Sequence, residues 1–443
     1  MIDPSLTAVD LVICARWVVP VEPAGVVLDH HAIAIDAGRI VDLLPAAEAA
    51  GRYRAAEWLD RPGHVLIPGL VNAHTHAAMT LLRGYADDLP LERWLADHIW
   101  PAEGRWLSPD FVHAGAELAM LEMLGGGTTA FMDMYLFPEA IAGLAVEHGY
   151  RAAVGMVVLD QPTAWANGPE DCLQKGLALH DQYRGHPLVN TVFAPHAPYS
   201  VADAGLKRVR MLADELDRPV QMHVHETAAE VAGSIAALGV RPLERLDRLG
   251  LLSERFMAVH ATQLDDAEIA LLATRRVSVV HCPNSNLKLA SGSCPTGRLL
   301  EAGVNVALGT DGAASNNRLD MFAEMRAAAL QAKHSDNDAA SVPAATALRM
   351  ATLNGARALG LGERIGSLER GKEADLVCVD LDDPATCPVH NVVSQLVYAA
   401  SSHQVSDVWI AGRRLLDQRR PSGMDRDGIL ARATGWGARI HAR

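Results

Sequence analysis

The stretch VLIPGLVNAH, residues 65–74, is a short apolar run that continues into Thr75 and His76. A run of this kind, bounded by turn residues, is typical of a strand buried on both faces. Seven similar runs follow, at 128–134, 151–160, 188–196, 219–225, 256–260, 276–281 and 304–311. Helical patterns lie between them. In one of these, SPDFVHAGAELAMLEMLGGG, Ser108 predicts the start of a helix that ends near Leu124.

Eight strands that alternate with helices predict an α/β fold, a closed (β/α)8 TIM-like barrel. An open doubly wound sheet is the alternative, but the chain has no GxGxxG loop. The two ends of the chain have a different pattern, of short strands separated by turns. A hairpin is indicated around Asp36-Ala37-Gly38, and strands with a turn at Ala411-Gly412 lie near the other end. These ends predict one small β domain built from both termini.

The charge and composition of the chain limit its partners. Its 443 residues include 39 Lys and Arg against 53 Asp and Glu, a net charge of −14. An acidic chain without a basic run is a poor binder of nucleic-acid polymers, although a small nucleoside is not excluded. The six cysteines are scattered, which favours reduced thiols. No basic leader and no membrane-length apolar run is present, so a cytoplasmic protein with no membrane partner is expected.

Most of the predicted barrel strands end in a polar residue that could bind a ligand. These residues are His74 and His76, His196, His223 with Glu226 just beyond it, His260, His281 and Asp311. A single histidine at a strand end is more often a hydrogen-bonded structural residue than a ligand. Several such residues at the C-terminal ends of different strands do indicate a functional site, because active sites of such barrels lie at those ends.

The spacing of these residues points to a metal. His74 and His76 are two apart in a strand, so both can face the barrel axis, where His223 and Asp311 would join them. Three imidazoles and one carboxylate suit catalytic zinc. Zinc can bring the pKa of water from about 15.7 to about 7. Glu226 would then deliver a proton to a ring nitrogen, and His260 and Asp311 would share the proton taken from water.

Two other zinc patterns are absent. Zinc-dependent nucleobase deaminases with the H-x-E…P-C-x-x-C signature need a PCxxC segment, and neither HCPNSN nor SCPTG provides one. The chain also lacks HExxH, so a zincin protease is not expected.

The chain as a whole resembles the amidohydrolase superfamily. The matching segments are PGLVNAHTH (68–76), HVHE (223–226), AVHATQL (258–264), HCPNSNLKLASG (281–292), GTDGAASNNRLDMFAEMR (309–326) and GSLERGKEADLVCVD (366–380). The resemblance implies a barrel over 67–364 and a β-sandwich formed by 1–66 and 365–443. It also implies one Zn2+ per subunit, on His74, His76, His223 and Asp311. The lysine of binuclear members is missing from FAPHAPYS, residues 193–200.

Within the superfamily, HTHAAMTLLRGYADDLPLERWLADHIWPAE, residues 74–103, resembles the 5-methylthioadenosine/S-adenosylhomocysteine deaminases. That resemblance implies that Glu103 holds the ribose hydroxyls and that His196 contacts the nucleoside. Glu226 and Asp311 are further candidate substrate contacts, and His281 is either a substrate contact or a residue behind the site. The resemblance also suggests a homo-oligomer.

The expected substrate follows from a departure from this family. Members that take S-adenosylhomocysteine can hold its carboxylate with arginines after strand three, but GMVVLDQPTAWANGPEDC, residues 155–172, contains none. The expectation is therefore zinc-dependent deamination of 5'-methylthioadenosine, then of adenosine and S-adenosylhomocysteine. An aminotriazine or guanine aminohydrolase is the nearest alternative. A non-catalytic protein on the same fold is the alternative of a different class.

Overall fold

The computed structural model describes residues 6–442. Residues 1–5, which belong to the first predicted segment, and Arg443 lie outside the described residues. Within 6–442 the strands are β1 Thr7–Val18, β2 Leu28–Asp36, β3 Arg39–Pro45, β4 Tyr53–Pro68, β5 Leu70–Thr75, β6 Thr128–Asp133, β7 Arg151–Val158, β8 Val189–Pro195, β9 Val220–Val224, β10 Phe256–His260, β11 Ser278–His281, β12 Asn305–Leu308, β13 Leu376–Asp380, β14 Val405–Ile410, β15 Arg413–Asp417 and β16 Arg420–Pro421.

The same residues contain α-helices that alternate with the barrel strands or flank them. They are α1 Ala46–Arg52, α2 Leu91–Trp94, α3 Trp100–Trp106, α4 Pro109–Gly125, α5 Pro138–His148, α6 Pro169–Tyr183, α7 Asp203–Leu216, α8 Ala228–Leu238, α9 Pro242–Arg248, α10 Asp266–Arg275, α11 Pro283–Lys288, α12 Thr296–Glu301, α13 Ala313–Asn316, α14 Met321–Ser335, α15 Ala344–Met350, α16 Leu353–Ala358, α17 Val392–Ser394 and α18 Arg426–His441. A π-helical segment, Leu95–Ile99, joins α2 to α3.

The eight strands β5 to β12 form one parallel sheet in chain order. The two edges meet, because the backbone N–H of Asp311, just beyond β12, donates to the carbonyl of His74 in β5 at 3.0 Å. A side chain at Gly309 would place its Cβ 2.9 Å from backbone atoms of His74, so only glycine allows this approach. The predicted barrel is confirmed. The last strand is shorter than predicted: it ends at Leu308, and Asp311 beyond it has a φ of 61°, outside the extended conformation.

The remaining strands form a second sheet in the order β16-β15-β14-β13-β4-β1-β2-β3. Both ends of the chain contribute to it, as predicted, and β4 pairs with β13 in antiparallel fashion. The predicted hairpin turns are present, with a φ of 76° at Gly38 and 78° at Gly412. The strands of this sheet run to Pro68 and resume at Leu376. The domain boundaries at 66/67 and 364/365 stay a prediction.

A buried ion pair connects the barrel to the terminal sheet. Arg151, the first residue of β7, has no exposed surface. Its guanidinium donates to Asp375 at 2.8 Å and to Glu373 at 2.7 Å, just before β13. These charge-assisted bonds satisfy the buried cation and fix the base of the barrel.

Helix α4 begins as predicted, because the hydroxyl of Ser108 accepts from the backbone N–H of Phe111 at 3.3 Å. Among residues 6–442, none of the helices is both long and apolar enough to cross a membrane.

Candidate active site

The polar strand ends of the barrel meet at one rim, which the backbone itself helps to shape. His260 and Asp311 have φ values of 73° and 61°, a region that residues other than glycine rarely adopt. Such strained positions cluster at functional sites, because they aim a side chain where a regular strand would not. His225 has a φ of 56°, and its side chain turns away from this rim. Its Nε2 accepts a hydrogen bond from the backbone N–H of Leu243 at 3.2 Å.

Four histidines and one carboxylate converge at the rim. The Nε2 atoms of His74 and His223 are 3.2 Å apart. Oδ1 of Asp311 is 3.2 Å from Nε2 of His76 and 3.5 Å from Nε2 of His74. One ligand atom each from His74, His223, His260 and Asp311 lies within 4.8 Å of the others. The geometry therefore brings all four predicted ligands together and adds His260 beside them.

The hydrogen bonds behind these histidines determine which nitrogen faces the site. In each ring Nδ1 lies within hydrogen-bond distance of an oxygen: His74 with Gln221 Oε1 (2.7 Å), His76 with Met134 O (2.6 Å), His223 with His196 O (2.8 Å) and His260 with Asn286 Oδ1 (2.9 Å). Nδ1–H must therefore donate, and Nε2 presents a lone pair to the site. Orienting partners of this kind are characteristic of metal-binding histidines.

The charges of the donor set also fit a cation. Burial lowers the pKa of His74 to about 4, which keeps that imidazole neutral. Burial alone would raise the pKa of Asp311, but its close contacts with His74 and His76 hold it well below its usual value. Burial lowers the pKa of His76, but its contact with Asp311 outweighs this and raises that pKa to about 9. Because zinc binds neutral imidazoles and an ionised carboxylate, metal binding would release the extra proton from His76.

The second oxygen of Asp311 is held by residues that the sequence analysis missed. Oδ2 accepts from the hydroxyls of Ser285 at 2.6 Å and Ser315 at 2.8 Å. These bonds leave Oδ1 free to face the imidazoles. Both serines lie in quoted segments, HCPNSNLKLASG and GTDGAASNNRLDMFAEMR, but nothing in their local pattern distinguishes them from helix-capping serines.

Glu226 lies at the edge of this cluster, where its Oε2 is 3.7 Å from Nε2 of His260. Burial and the nearby Asp311 raise the pKa of Glu226 to about 8, so it carries a proton at neutral pH. Its backbone N–H donates to Glu230 at 2.7 Å, and the N–H of His225 donates to the same carboxylate at 3.0 Å. Glu230 thus holds the turn that carries Glu226, a role that the sequence did not reveal.

A cavity of about 780 Å3 extends from these groups to the surface. The predicted site residues on its wall are His76, Glu103, His196, His223, Glu226, His260 and Asp311. His281 is not on the wall: it is 1% exposed and lies behind Asn286, with its Nδ1 3.5 Å from Nδ2 of that residue. Of the two roles predicted for His281, its position supports the one behind the site.

Glu103 reaches the cavity from α3. Its Oε1 accepts from the hydroxyl of Tyr135 at 2.5 Å, and burial raises its pKa. Tyr135 also lines the cavity and was not predicted. Nδ1 of His196, on the opposite wall, lies 2.9 Å from Oγ of Ser200. Among the described lining residues there is no lysine or arginine.

Comparison with known proteins agrees with this geometry. Residues 65–415 match the Amidohydrolase family. The chain is 50% identical over 439 residues to a 5-methylthioadenosine/S-adenosylhomocysteine deaminase of Teredinibacter turnerae, covering 99% of each chain. It is 49% identical to the protein of the same name from Saccharophagus degradans, covering 99% of this chain and 98% of that one. A crystal structure of an adenosine deaminase from Xanthomonas campestris with bound zinc is 57% identical, with a TM-score of 0.98 over 99% of this chain and 100% of that one.

Proposed function

The chain belongs to the amidohydrolase family, and we propose that it is a zinc-dependent hydrolase that deaminates adenine nucleosides, 5'-methylthioadenosine first among them. The products are the inosine-type nucleoside and ammonia. One observation carries the proposal: imidazole Nε2 atoms, the Asp311 carboxylate and Glu226 converge at one cavity, which is also lined by Glu103.

The metal is proposed to lie on His74, His76, His223 and Asp311. The distances from Asp311 to His74 and His76 and the orientation of the imidazoles support this set. When bound, Zn2+ lowers the pKa of water to about 7 and so makes hydroxide available at neutral pH. His260 lies beside the four proposed ligands, and its Nδ1 is hydrogen-bonded to Asn286. It is proposed to orient the attacking oxygen. His260 and Asp311 would share the proton that this oxygen loses.

Glu226 is the proposed general acid, which protonates the ring of the substrate. A ring amidine carbon becomes electrophilic when the neighbouring nitrogen is protonated, and Glu226 carries a proton at neutral pH on the cavity wall. It donates that proton to the ring nitrogen next to C6. The attacking oxygen bonds to C6, and the C6–N bond of the exocyclic amine then breaks. The proton taken from water by His260 and Asp311 passes to that amine, which leaves as ammonia, and the new hydroxyl at C6 returns a proton to Glu226.

Glu103 accounts for the preference for a nucleoside over a free base. A carboxylate can accept hydrogen bonds from both ribose hydroxyls, whose burial would otherwise cost free energy. Tyr135 holds Glu103 from behind. A panel of 5'-methylthioadenosine, adenosine, guanine and an aminotriazine, assayed for ammonia release, tests the proposal. Preferential turnover of guanine or the aminotriazine would contradict it.

One zinc ion per chain is the expected stoichiometry. Binuclear members of the superfamily usually supply a lysine at the end of strand four, and residues 193–200 contain none. Elemental analysis of the purified protein should therefore return close to one zinc per chain. A reproducible value near two metal ions would refute this assignment.

Substrate preference follows from the charge of the cavity. A homocysteine carboxylate would have no cationic partner among the described lining residues, whereas a methylthio group needs only apolar surface. The expected order of kcat/KM is 5'-methylthioadenosine, adenosine, then S-adenosylhomocysteine, with free adenine a poor substrate. Competition kinetics measure this order. A clear preference for S-adenosylhomocysteine would show that a cation from elsewhere, such as a neighbouring subunit, binds the carboxylate.

A cytoplasmic location and a homo-oligomeric state complete the proposal. The six cysteines are free thiols, which suits a reducing compartment. Helix α8 presents Ile235 and Leu238 to solvent, at 46% and 54% exposure, and this surface is the candidate for the subunit contact.

A further inference from the structure

One wall of the cavity is apolar and comes largely from a single segment. Residues 91–107, which include α2, the π-helical turn and α3, contribute Leu91, Trp94, Leu95, Ile99, Trp100 and Leu107. Trp94 and Ile99 are 5% and 0% exposed, so they belong to the core. Trp100 differs, since it is 52% exposed while it lines the cavity. An indole left open to a binding cavity is a surface for an apolar ligand group.

The position of Trp100 relative to Glu103 indicates which part of a ligand it would meet. Both residues lie on α3, three positions apart, so they share one face of that helix. A nucleoside whose base points toward Glu226 and whose ribose hydroxyls bind Glu103 has one remaining substituent, at the 5' position. Trp100 lies one helical turn from the ribose anchor, within reach of that substituent.

The size of the cavity shows that a methyl group does not fill it. A volume of about 780 Å3 is in the upper part of the range of roughly 300–1,000 Å3 for pockets that hold drug-sized ligands. The lining of the cavity also includes Leu136, Leu159 and Pro162, which are apolar. This region therefore offers room and apolar contact beyond a methylthio group, without a cation for a carboxylate.

We propose that Trp100 is a specificity-determining residue that receives the 5' thioether, and that the substrate class extends to adenosine 5'-thioethers with apolar groups larger than methyl. This inference rests on the proposed function. The indole contacts the sulfur and the first carbons of the substituent, and the leucine side chains cover the remainder. The size and apolarity of the 5' substituent, together with its lack of charge, then decide which nucleosides are favoured.

The test is a substrate series with two variants. The substrates are adenosine and its 5'-methylthio, 5'-ethylthio and 5'-isobutylthio derivatives, with kcat/KM measured for each on the zinc-loaded enzyme. For the unmodified chain we expect kcat/KM to rise about threefold to tenfold from methylthio to isobutylthio, because each buried methylene adds apolar contact. Trp100→Ala should lower kcat/KM for the thioethers about tenfold more than for adenosine, chiefly through KM. Trp58→Ala is the matched control, since Trp58 is 41% exposed on β4 of the terminal sheet, and it should change none of the values.

Each outcome decides a different point. If kcat/KM falls tenfold from methylthio to isobutylthio, the subsite is closed and the extended substrate class is wrong. If Trp100→Ala lowers adenosine and the thioethers equally, Trp100 supports the fold of the segment and does not determine specificity. If none of the four nucleosides releases ammonia, the proposed function itself fails and this inference falls with it. Tryptophan fluorescence quenching by 5'-isobutylthioadenosine, lost in Trp100→Ala, provides a readout that does not depend on turnover.

Discussion

His74→Ala is expected to reduce deamination to below about a thousandth of its original rate, because the metal that supplies the nucleophile loses a ligand at the centre of the site. His74 is fully buried, its Nε2 lies 3.2 Å from that of His223 and 3.5 Å from Asp311, and its Nδ1 is tied to Gln221. Alanine offers no donor atom in place of the imidazole.

The measurements are ammonia release, zinc content and thermal unfolding by circular dichroism. Zinc content should fall while the variant still unfolds cooperatively, since the barrel is closed by backbone hydrogen bonds of this strand that do not involve the imidazole. The matched control is His113→Ala, because His113 is exposed on α4 and outside the cavity, and it should keep both zinc and activity. A His74→Ala protein with one zinc and near-full activity would show that the ligand set is wrong.

Glu226→Gln is expected to lower kcat by about 10²–10⁴-fold, the range for loss of a positioned acid or base. The amide preserves the shape of the side chain but cannot give up a proton to the ring. Zinc content should stay at one per chain, because Glu226 is not among the proposed ligands. Glu139→Gln is the control, since Glu139 is exposed on α5 and should leave kcat unchanged.

The pH dependence gives a second reading of the same residue. The pKa of Glu226 is raised to about 8, so the acid is protonated below that pH and loses its proton above it. Activity that depends on this proton should therefore be present at neutral pH and decline as pH rises through about 8. Glu226→Gln should lack that decline in its residual activity. If the variant keeps near-full kcat, or if its alkaline limb is unchanged, another group supplies the proton.

The connections behind the site explain why its parts depend on one another. His196 contributes its carbonyl to His223 while it also lines the cavity, so one residue orients a proposed ligand and is a proposed contact of the nucleoside. Glu230 binds the two backbone N–H groups at His225 and Glu226 and so fixes the turn between a metal-binding strand and the proposed acid. A change at either residue is expected to affect more than one step.

The barrel and the composition of its rim can be predicted from the sequence alone. Apolar runs of strand length separated by helical patterns allow few folds, and closure of a parallel sheet brings every strand end to one face. For this reason His74, His223, His260 and Asp311 could be placed together before any coordinate was known. The two-residue period of a strand also placed His76 with His74, without any knowledge of their partners.

The orientation and protonation of those side chains depend on contacts between segments that are distant in the sequence. The partners that set the imidazole tautomers, such as Gln221 for His74 and Asn286 for His260, lie 147 and 26 residues away in the sequence. The raised pKa of Glu226 arises from burial and from Asp311, neither of which a local pattern contains. His281 likewise ends a strand as its neighbours do, yet it lies behind Asn286. Periodicity fixes which residues reach the rim, whereas packing between distant segments fixes their orientation, protonation and access to the cavity.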